Sequence, residues 1–149
     1  PNAAIIHYQA KKKSNRVLRK GELYLIDSGG QYNYGTTDVT RTISLDSKNE
    51  RIKDIYTRVL KGHIAVSSYD LNQSSNGDKI DQVARKSLKE INLDYPHGTG
   101  HGVGCFLNVH EGPQGISREP QREASGGRLR GPSGPYKALN GLIRALRDL

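Results

Sequence analysis

The chain has 149 residues, with 23 basic and 15 acidic side chains and a formal net charge of +8. Its length suits one compact domain, and it has no run of about 18 apolar residues that could cross a membrane as a helix. The single cysteine, Cys105, excludes an internal disulfide and a thiolate metal cage, and is typical of a reducing, cytoplasmic compartment.

The N-terminal third of the sequence predicts short strands. Ala3–Tyr8 is an apolar strand candidate. The β-rich runs Glu22–Asp27 and Thr37–Ile43 flank the glycine-rich stretch Ser28–Thr36. We expect the two runs to pair as a hairpin, with glycines at the turn positions that require a positive φ.

The predicted hairpin carries two aspartates that could form a cation site. Pairing of the strands would bring Asp27 and Asp38 within a few ångströms of each other on one face. Two such carboxylates repel unless a positive charge lies between them, and a divalent cation would supply it. Aspartate also commonly caps turns at strand ends, so pairing alone leaves both interpretations open.

Two amphipathic helices follow the hairpin. Asp46 or Ser47 would cap the first helix, whose apolar stripe carries Ile52, Ile55, Tyr56, Val59, Leu60, His63 and Val66. A turn at Asn76-Gly77 precedes the second helix, whose inward residues would be Ile80, Val83, Ala84, Leu88 and Ile91. We expect His63 to be a structural histidine, because it lies on the apolar stripe of its helix.

The segment His97–Gly104 (HGTGHGVG) contains too much glycine for a helix interior. We expect its backbone to lie close to a site. Four of the five histidines lie in or beside apolar or glycine-rich segments: His7, His97, His101 and His110. Neutral imidazole is a common metal ligand and carries protons near neutral pH, so these histidines are candidates for a site.

Composition changes near Ser117. Isoleucine, asparagine and lysine supply 28 of the first 117 residues but 3 of the last 32, whereas arginine occurs six times in each part. We expect residues 118–149 to be a divergent, partly disordered basic tail rich in Gly, Pro, Ser and Arg. Only Tyr136–Leu149 recovers a helical pattern, which would also allow docking on a partner as an amphipathic helix.

Together these segments resemble the metal-dependent aminopeptidases and prolidases of the pita-bread fold, most closely the Xaa-Pro aminopeptidases. The matching motifs, in order, are PNAAIIHY (1–8), YLIDSGGQYNYGTTDVTRT (24–42), YTRVLKGHIA (56–65) and DYPHGTGHGVGCFLNVHEGPQGIS (94–117). The resemblance implies an α+β pita-bread fold that is truncated at both ends. Residues 1–117 would be the central part of its catalytic domain.

The resemblance also implies a metal site. Asp27 would hold one metal, Asp38 would bridge two, and His101 would be the imidazole ligand. The intact family site would hold two Mn²⁺ ions, with Zn²⁺ or Co²⁺ as alternatives.

The remaining three histidines are implied to be catalytic. His7 would help to position the scissile carbonyl or the proline, His97 would line the proline-side pocket, and His110 would match the family's proton-shuttle histidine. The substrate would be a peptide with proline in second position, from which the enzyme releases the N-terminal residue.

Two glutamate ligands of the family have no counterpart in this sequence. Glu119-Pro120 follows His110 by only nine residues, and Glu123 lies in a loop-like stretch. With three of five ligands, we expect a single weakly held cation and an incomplete or inactive fragment. Unpaired sheet edges and exposed apolar faces would favour association, for example as a homodimer.

The alternative is a non-catalytic pita-bread module that contacts nucleic acid or protein. The positive net charge permits such binding. The histidines argue against it, because a pure binding role does not need them. Nucleic-acid binding would weaken steeply with salt, whereas manganese binding would depend on Asp38.

Overall fold

The computed structural model describes residues 11–46, 48–72, 76–104, 108–111 and 115–118. Its regular elements, in chain order, are a 3₁₀ turn (Lys12–Ser14), β1 (Leu23–Ser28), β2 (Gln31–Tyr32), β3 (Gly35–Thr36), β4 (Val39–Ser44), α1 (Glu50–Ser67), α2 (Gly77–Lys89), β5 (Gly100–His101) and β6 (Gly115–Ile116). Neither helix has the length and apolar character that a bilayer span requires. The strand predicted at Ala3–Tyr8 and the helix predicted at Tyr136–Leu149 lie outside the described residues.

β1 and β4 pair as an antiparallel hairpin, as predicted, and β2 and β3 extend it within the stretch expected to be the turn. β1 pairs with β4, ending with Ser28 opposite Val39, and β2 pairs with β3, beginning with Gln31 opposite Thr36. Two residues separate the ladders on each strand, 29–30 on one and 37–38 on the other. One register therefore runs through the whole hairpin without a bulge. The hairpin therefore fixes which residues of its two strands face each other.

Two glycines of the hairpin, Gly29 and Gly30, allow close approach of neighbouring atoms and do not form the turn. The chain reverses at Asn33 and Tyr34, and Gly21 alone among the described glycines has a positive φ, of 83°. The expectation that hairpin glycines supply positive φ angles is therefore wrong. A Cβ at Gly29 would lie 2.5 Å from the carbonyl oxygen of Thr37, so any larger residue would push the two strands apart.

Asparagine caps both helices. The side chain of Asn49 accepts hydrogen bonds of 2.9 and 3.4 Å from backbone N–H groups in the first turn of α1. Asn76 caps α2 in the same way through a bond of 2.8 Å. The cap predicted at Asp46 is wrong, because that residue has a φ of 62° and the cap requires an extended backbone. Ser47 lies outside the described residues.

The apolar core joins the two helices to β6. Its buried members are Ile55, Val59, Val66, Ile80, Ala84, Leu88, Tyr95 and Ile116. The predicted inward stripes are confirmed at these helical positions, but Tyr56 and Leu60 remain 44% and 46% exposed because α1 packs mainly against one neighbour. In the hairpin, the buried side chains are all polar: Thr36, Asp38 and Thr40.

Candidate metal centre

The hairpin register determines where its two aspartates lie. Asp27 is opposite Thr40, whose hydroxyl donates a 2.8 Å hydrogen bond to Asp27 Oδ1. Asp38 directly precedes β4, so the same register puts it opposite Gly29 and diagonal to Asp27. Diagonal positions on one face are about 7–8 Å apart between their backbones, which is within reach of two carboxylates around one site. Asp38 is buried, whereas Asp27 is exposed.

His101 is held as a defined tautomer that faces Asp38. Its Nδ1 lies 2.8 Å from the carbonyl oxygen of Gly102, and because a carbonyl only accepts, Nδ1 carries the proton. In the neutral ring, Nε2 then presents a lone pair, 3.2 Å from Asp38 Oδ2. That oxygen is buried and accepts no hydrogen bond from any residue that the structure describes, so the pair lacks hydrogen-bond geometry despite the short distance. Two electron-rich atoms in this arrangement fit a cation placed between them.

His110 completes a cluster of three groups. Its ring centroid lies 3.9 Å from that of His101, with the rings tilted by 49°. One ligand atom each from Asp38, His101 and His110 lies within 4.8 Å of the others. A carboxylate oxygen and two imidazole nitrogens suit a divalent transition metal. Among the described residues, this donor set fits the metal that the resemblance implies.

The structure gathers the predicted site residues only in part. Asp27 is not part of the three-residue cluster, and His7 lies outside the described residues. His97 stacks on Tyr95, with ring centroids 4.8 Å apart, and its Nδ1 lies 2.9 Å from the carbonyl oxygen of Gly98. The individual roles of these residues stay predictions.

His63 lies on α1 and is not a member of the cluster. Burial lowers the pKa of its ring, and the charge of Arg41 lowers it further. The neutral form is therefore favoured at neutral pH, in keeping with the structural role expected for it.

A buried charge network lies beneath the histidine segment. Asp81 and Arg85, both on α2, are 0% and 3% exposed and form an ion pair of 2.7 Å. The guanidinium also donates to the carbonyl oxygens of Tyr95 at 2.7 Å and His97 at 2.6 Å. Asp81 accepts a further hydrogen bond of 2.5 Å from the Thr99 hydroxyl. This network was not predicted from the sequence, although Asp81 and Arg85 have the spacing of four residues that allows an ion pair on a helix.

Hydrogen bonds favour the charged forms of Arg85 and Asp94. Burial would lower the pKa of Arg85, but hydrogen bonds to Asp81 and Asp94 outweigh it and raise that pKa. Burial would raise the pKa of Asp94. Hydrogen bonds from Arg85, from the backbone N–H of Tyr95 and from Arg118 outweigh burial and lower it. Burial raises the pKa of the Tyr95 hydroxyl to about 12.

Comparison with known proteins identifies relatives of the chain. The profile of metallopeptidase family M24 matches residues 1–131. The chain is 48% identical over 147 residues to Xaa-Pro aminopeptidase 1 of Dictyostelium discoideum, with 96% of this chain and 23% of that protein covered. It is 51% identical over 116 residues to aminopeptidase P2 of Arabidopsis thaliana, with 78% and 16% covered. The chain thus spans less than a quarter of the length of these relatives.

Solved structures give the same result for the fold. An X-prolyl aminopeptidase from Caenorhabditis elegans, described as a cytosolic enzyme with a di-nuclear active site, matches with a TM-score of 0.71 and 41% identity, covering 81% of this chain and 20% of that one. The prolidase from Pyrococcus furiosus matches with a TM-score of 0.63 and 32% identity, covering 78% and 33%. The mixed α+β pita-bread fold and the resemblance seen in the motifs are confirmed. The match of the family profile continues beyond residue 117, and the boundary placed there stays a prediction.

Proposed function

Since this chain belongs to metallopeptidase family M24, we propose that it forms part of the active site of a metal-dependent Xaa-Pro aminopeptidase. Such an enzyme releases the N-terminal residue from peptides that have proline in second position. The observation that carries the proposal is the pair of His101 Nε2 and Asp38 Oδ2, 3.2 Å apart and without a hydrogen bond between them. The non-catalytic binding module gains no support from the named relatives.

The residues that would hold a divalent cation are Asp38 and His101, with His110 within reach. A cation bound there would polarise the scissile carbonyl and lower the pKa of a water molecule at the site. The hydrogen bond from His101 Nδ1 to the Gly102 carbonyl would leave the Nε2 lone pair available to a cation. Manganese is our proposal for the metal, with zinc or cobalt as alternatives.

The protein's own groups would then orient the peptide and move protons. His110 is exposed beside His101, so its ring can exchange protons with solvent and with the departing prolyl nitrogen. His97, held against Tyr95, would line the pocket for the proline ring. His7 would position the substrate carbonyl, and Asp27 would hold one of the two metals in a complete family site.

Metal binding and turnover are separate properties of this chain. Asp38 and His101, with His110 within reach, would bind one cation, whereas the family's dinuclear chemistry needs two further glutamates that we do not find in the sequence. We propose that the chain binds one cation weakly and that turnover requires ligands beyond this set. The cytosolic description of the C. elegans enzyme supports a cytosolic location for this protein as well.

Manganese titration of the 149-residue chain tests the proposal. Isothermal titration calorimetry should detect Mn²⁺ binding, and Asp38→Asn should lower the affinity by about tenfold or more, because it removes the buried anionic ligand. Release of the N-terminal residue from an Xaa-Pro peptide is assayed in parallel. Turnover by the unchanged chain that is abolished in Asp38→Asn would show that the chain supplies a complete active site by itself.

Asp46→Asn is the matched control. It makes the same change of charge just beyond β4, at an exposed residue that forms an ion pair of 3.9 Å with Lys20. Its Mn²⁺ affinity should equal that of the unchanged chain. Asp27→Asn tests the ligand role of Asp27, which predicts a loss of affinity. Absence of Mn²⁺ binding, or equal affinity in the Asp38→Asn and Asp46→Asn variants, would overturn the metal site.

A further inference from the structure

We propose that Arg85 is a positioning residue for the segment 97–101, which we call the HGTGH segment. Its guanidinium fixes the backbone from which His97 and His101 project, and thereby sets the direction of His101 toward Asp38. Only the expected effect of Arg85 on metal affinity rests on the proposed function. The order that Arg85 imposes on the segment can be measured without a metal.

Arg85 contacts the chain just before the HGTGH segment and at its first residue. Nη2 donates to the His97 carbonyl at 2.6 Å, and Nη1 donates to the Tyr95 carbonyl at 2.7 Å and to Asp94 at 2.8 Å. Nε donates to Asp81 at 2.7 Å. All three nitrogens are thus engaged, and the planar fork holds two alternate carbonyls at a fixed separation.

The constraint continues from these carbonyls to His101. Thr99 donates its hydroxyl to Asp81 and its backbone N–H to the carbonyl of Ile116 at 2.8 Å. Gly100 and His101 follow at once as β5, paired with β6. Backbone anchors therefore occur at residues 95, 97 and 99, and the side chain of His101 emerges from a strand that they hold in place.

The position requires an arginine for geometric reasons. Arg85 lies with its guanidinium carbon 3.8 Å from the centroid of the Tyr95 ring, while its edge reaches two carbonyls and two carboxylates. An ammonium group has the same charge but presents its donors from one point and cannot span these four acceptors. Lysine would therefore retain the charge opposite buried Asp81 and release the backbone carbonyls.

Arg85→Lys separates the charge of Arg85 from its hydrogen bonds to the backbone, and Arg58→Lys is the matched control. Arg58 also joins a backbone carbonyl, that of Ser87 at 2.8 Å, to two carboxylates, but it ties α1 to α2. Mn²⁺ affinity is measured by calorimetry and the free energy of unfolding by urea. We expect Arg85→Lys to lower Mn²⁺ affinity about tenfold or more, and Arg58→Lys to leave it within about twofold.

A second measurement does not depend on metal. Hydrogen exchange of the Thr99 amide, followed by NMR, should be faster relative to the α1 amides in Arg85→Lys and unchanged in Arg58→Lys. The ¹⁵N resonances of the His101 ring should lose the signature of a single Nδ1–H tautomer only in Arg85→Lys. Arg85→Gln, which keeps an amide donor without the charge, should show the same changes if Arg85→Lys fails to fold.

Two outcomes overturn the proposal. One is an equal loss of Mn²⁺ affinity in the Arg85 and Arg58 variants, which would mean that lost stability alone weakens the site. The other is an unchanged Thr99 exchange rate and His101 tautomer in both Arg85 variants. If the unchanged chain binds no Mn²⁺, the proposed function fails, and the exchange and tautomer measurements still decide the role of Arg85.

Discussion

Tyr95 connects the apolar core to the buried charges. Its side chain is 3% exposed and packs within the core, while the guanidinium of Arg85 lies against its ring. The hydroxyl is 2.5 Å from that of Thr99, which in turn donates to Asp81. Burial disfavours the charged phenolate, and the nearby carboxylate of Asp81 adds to this effect, so the pKa of the phenol is raised to about 12.

Replacement of this tyrosine should change the alkaline stability. The folded-state pKa lies above the ordinary value, so the stabilisation is complete below about pH 10 and is lost as the pH rises toward 12. Between these values, the free energy of unfolding should fall by about 3 kcal/mol more in the unchanged chain than in Tyr95→Phe. Urea titrations of both chains at several pH values measure the difference. Parallel curves would contradict the raised pKa.

Functional residues that belong to a sequence motif could be predicted. Those whose role depends only on how the chain packs were missed. Asp38 and His101 stand in long motifs, so the sequence identified them as candidates before their geometry was known. Asp81 and Arg85 occupy inward positions of an amphipathic helix, where an apolar pattern predicts no charge. A buried pair is stable only when every acceptor and donor has a partner, and those partners lie on the loop that follows α2, which helical periodicity does not report.

At the scale of elements, the first helix shows how the preceding chain selects a cap. Asp46 and Asn49 are both good capping residues by type. The hairpin ends with Asp46 in the left-handed region, which is incompatible with a cap, and the extended backbone is restored by Asn49. The existence and inward stripe of α1 followed from its periodicity, whereas its first residue depended on the conformation at the end of β4.

Removal of this cap should cost stability without affecting the fold. Asn49→Ala leaves two backbone N–H groups of α1 without their side-chain acceptor and should lower the free energy of unfolding by about 1 kcal/mol. Asn49→Asp retains an acceptor oxygen at the same place. Its free energy of unfolding should therefore stay within about 0.3 kcal/mol of that of the unchanged chain, because aspartate and asparagine are nearly equivalent caps. Urea denaturation compares the three. An equal loss in both variants would assign the effect to another contact of Asn49.

At the scale of the whole molecule, the hairpin and the helices are stabilised by different interactions. The core residues belong to α1, α2, β6 and Tyr95, whereas the buried side chains of the hairpin are polar. Asp38 and His101 face each other across these two parts. The pita-bread fold was predictable because several motifs occur in order, but the polar interior of the hairpin was not, since strand alternation alone predicts an apolar inner face.

Metal should therefore protect the hairpin more than the helices. A cation at Asp38 and His101 would have to leave before the hairpin opens, and at a concentration 100 times its dissociation constant it should slow that opening by about 100-fold. Hydrogen exchange of the β1 and β4 amides, with and without Mn²⁺, measures this change. The slowing should disappear in Asp38→Asn and on addition of a chelator. Equal slowing of the hairpin and helix amides would show that the two parts open together.

The unbroken register of the hairpin also limits how the length of this segment can vary in evolution. One residue gained or lost on one strand between the two aspartates would turn Asp38 to the opposite face of the hairpin, away from His101. Tyr34, at the tip, is 99% exposed, so additional residues there would leave both strands in place. Length variation should therefore concentrate at the tip, while the strand on either side keeps its residue count.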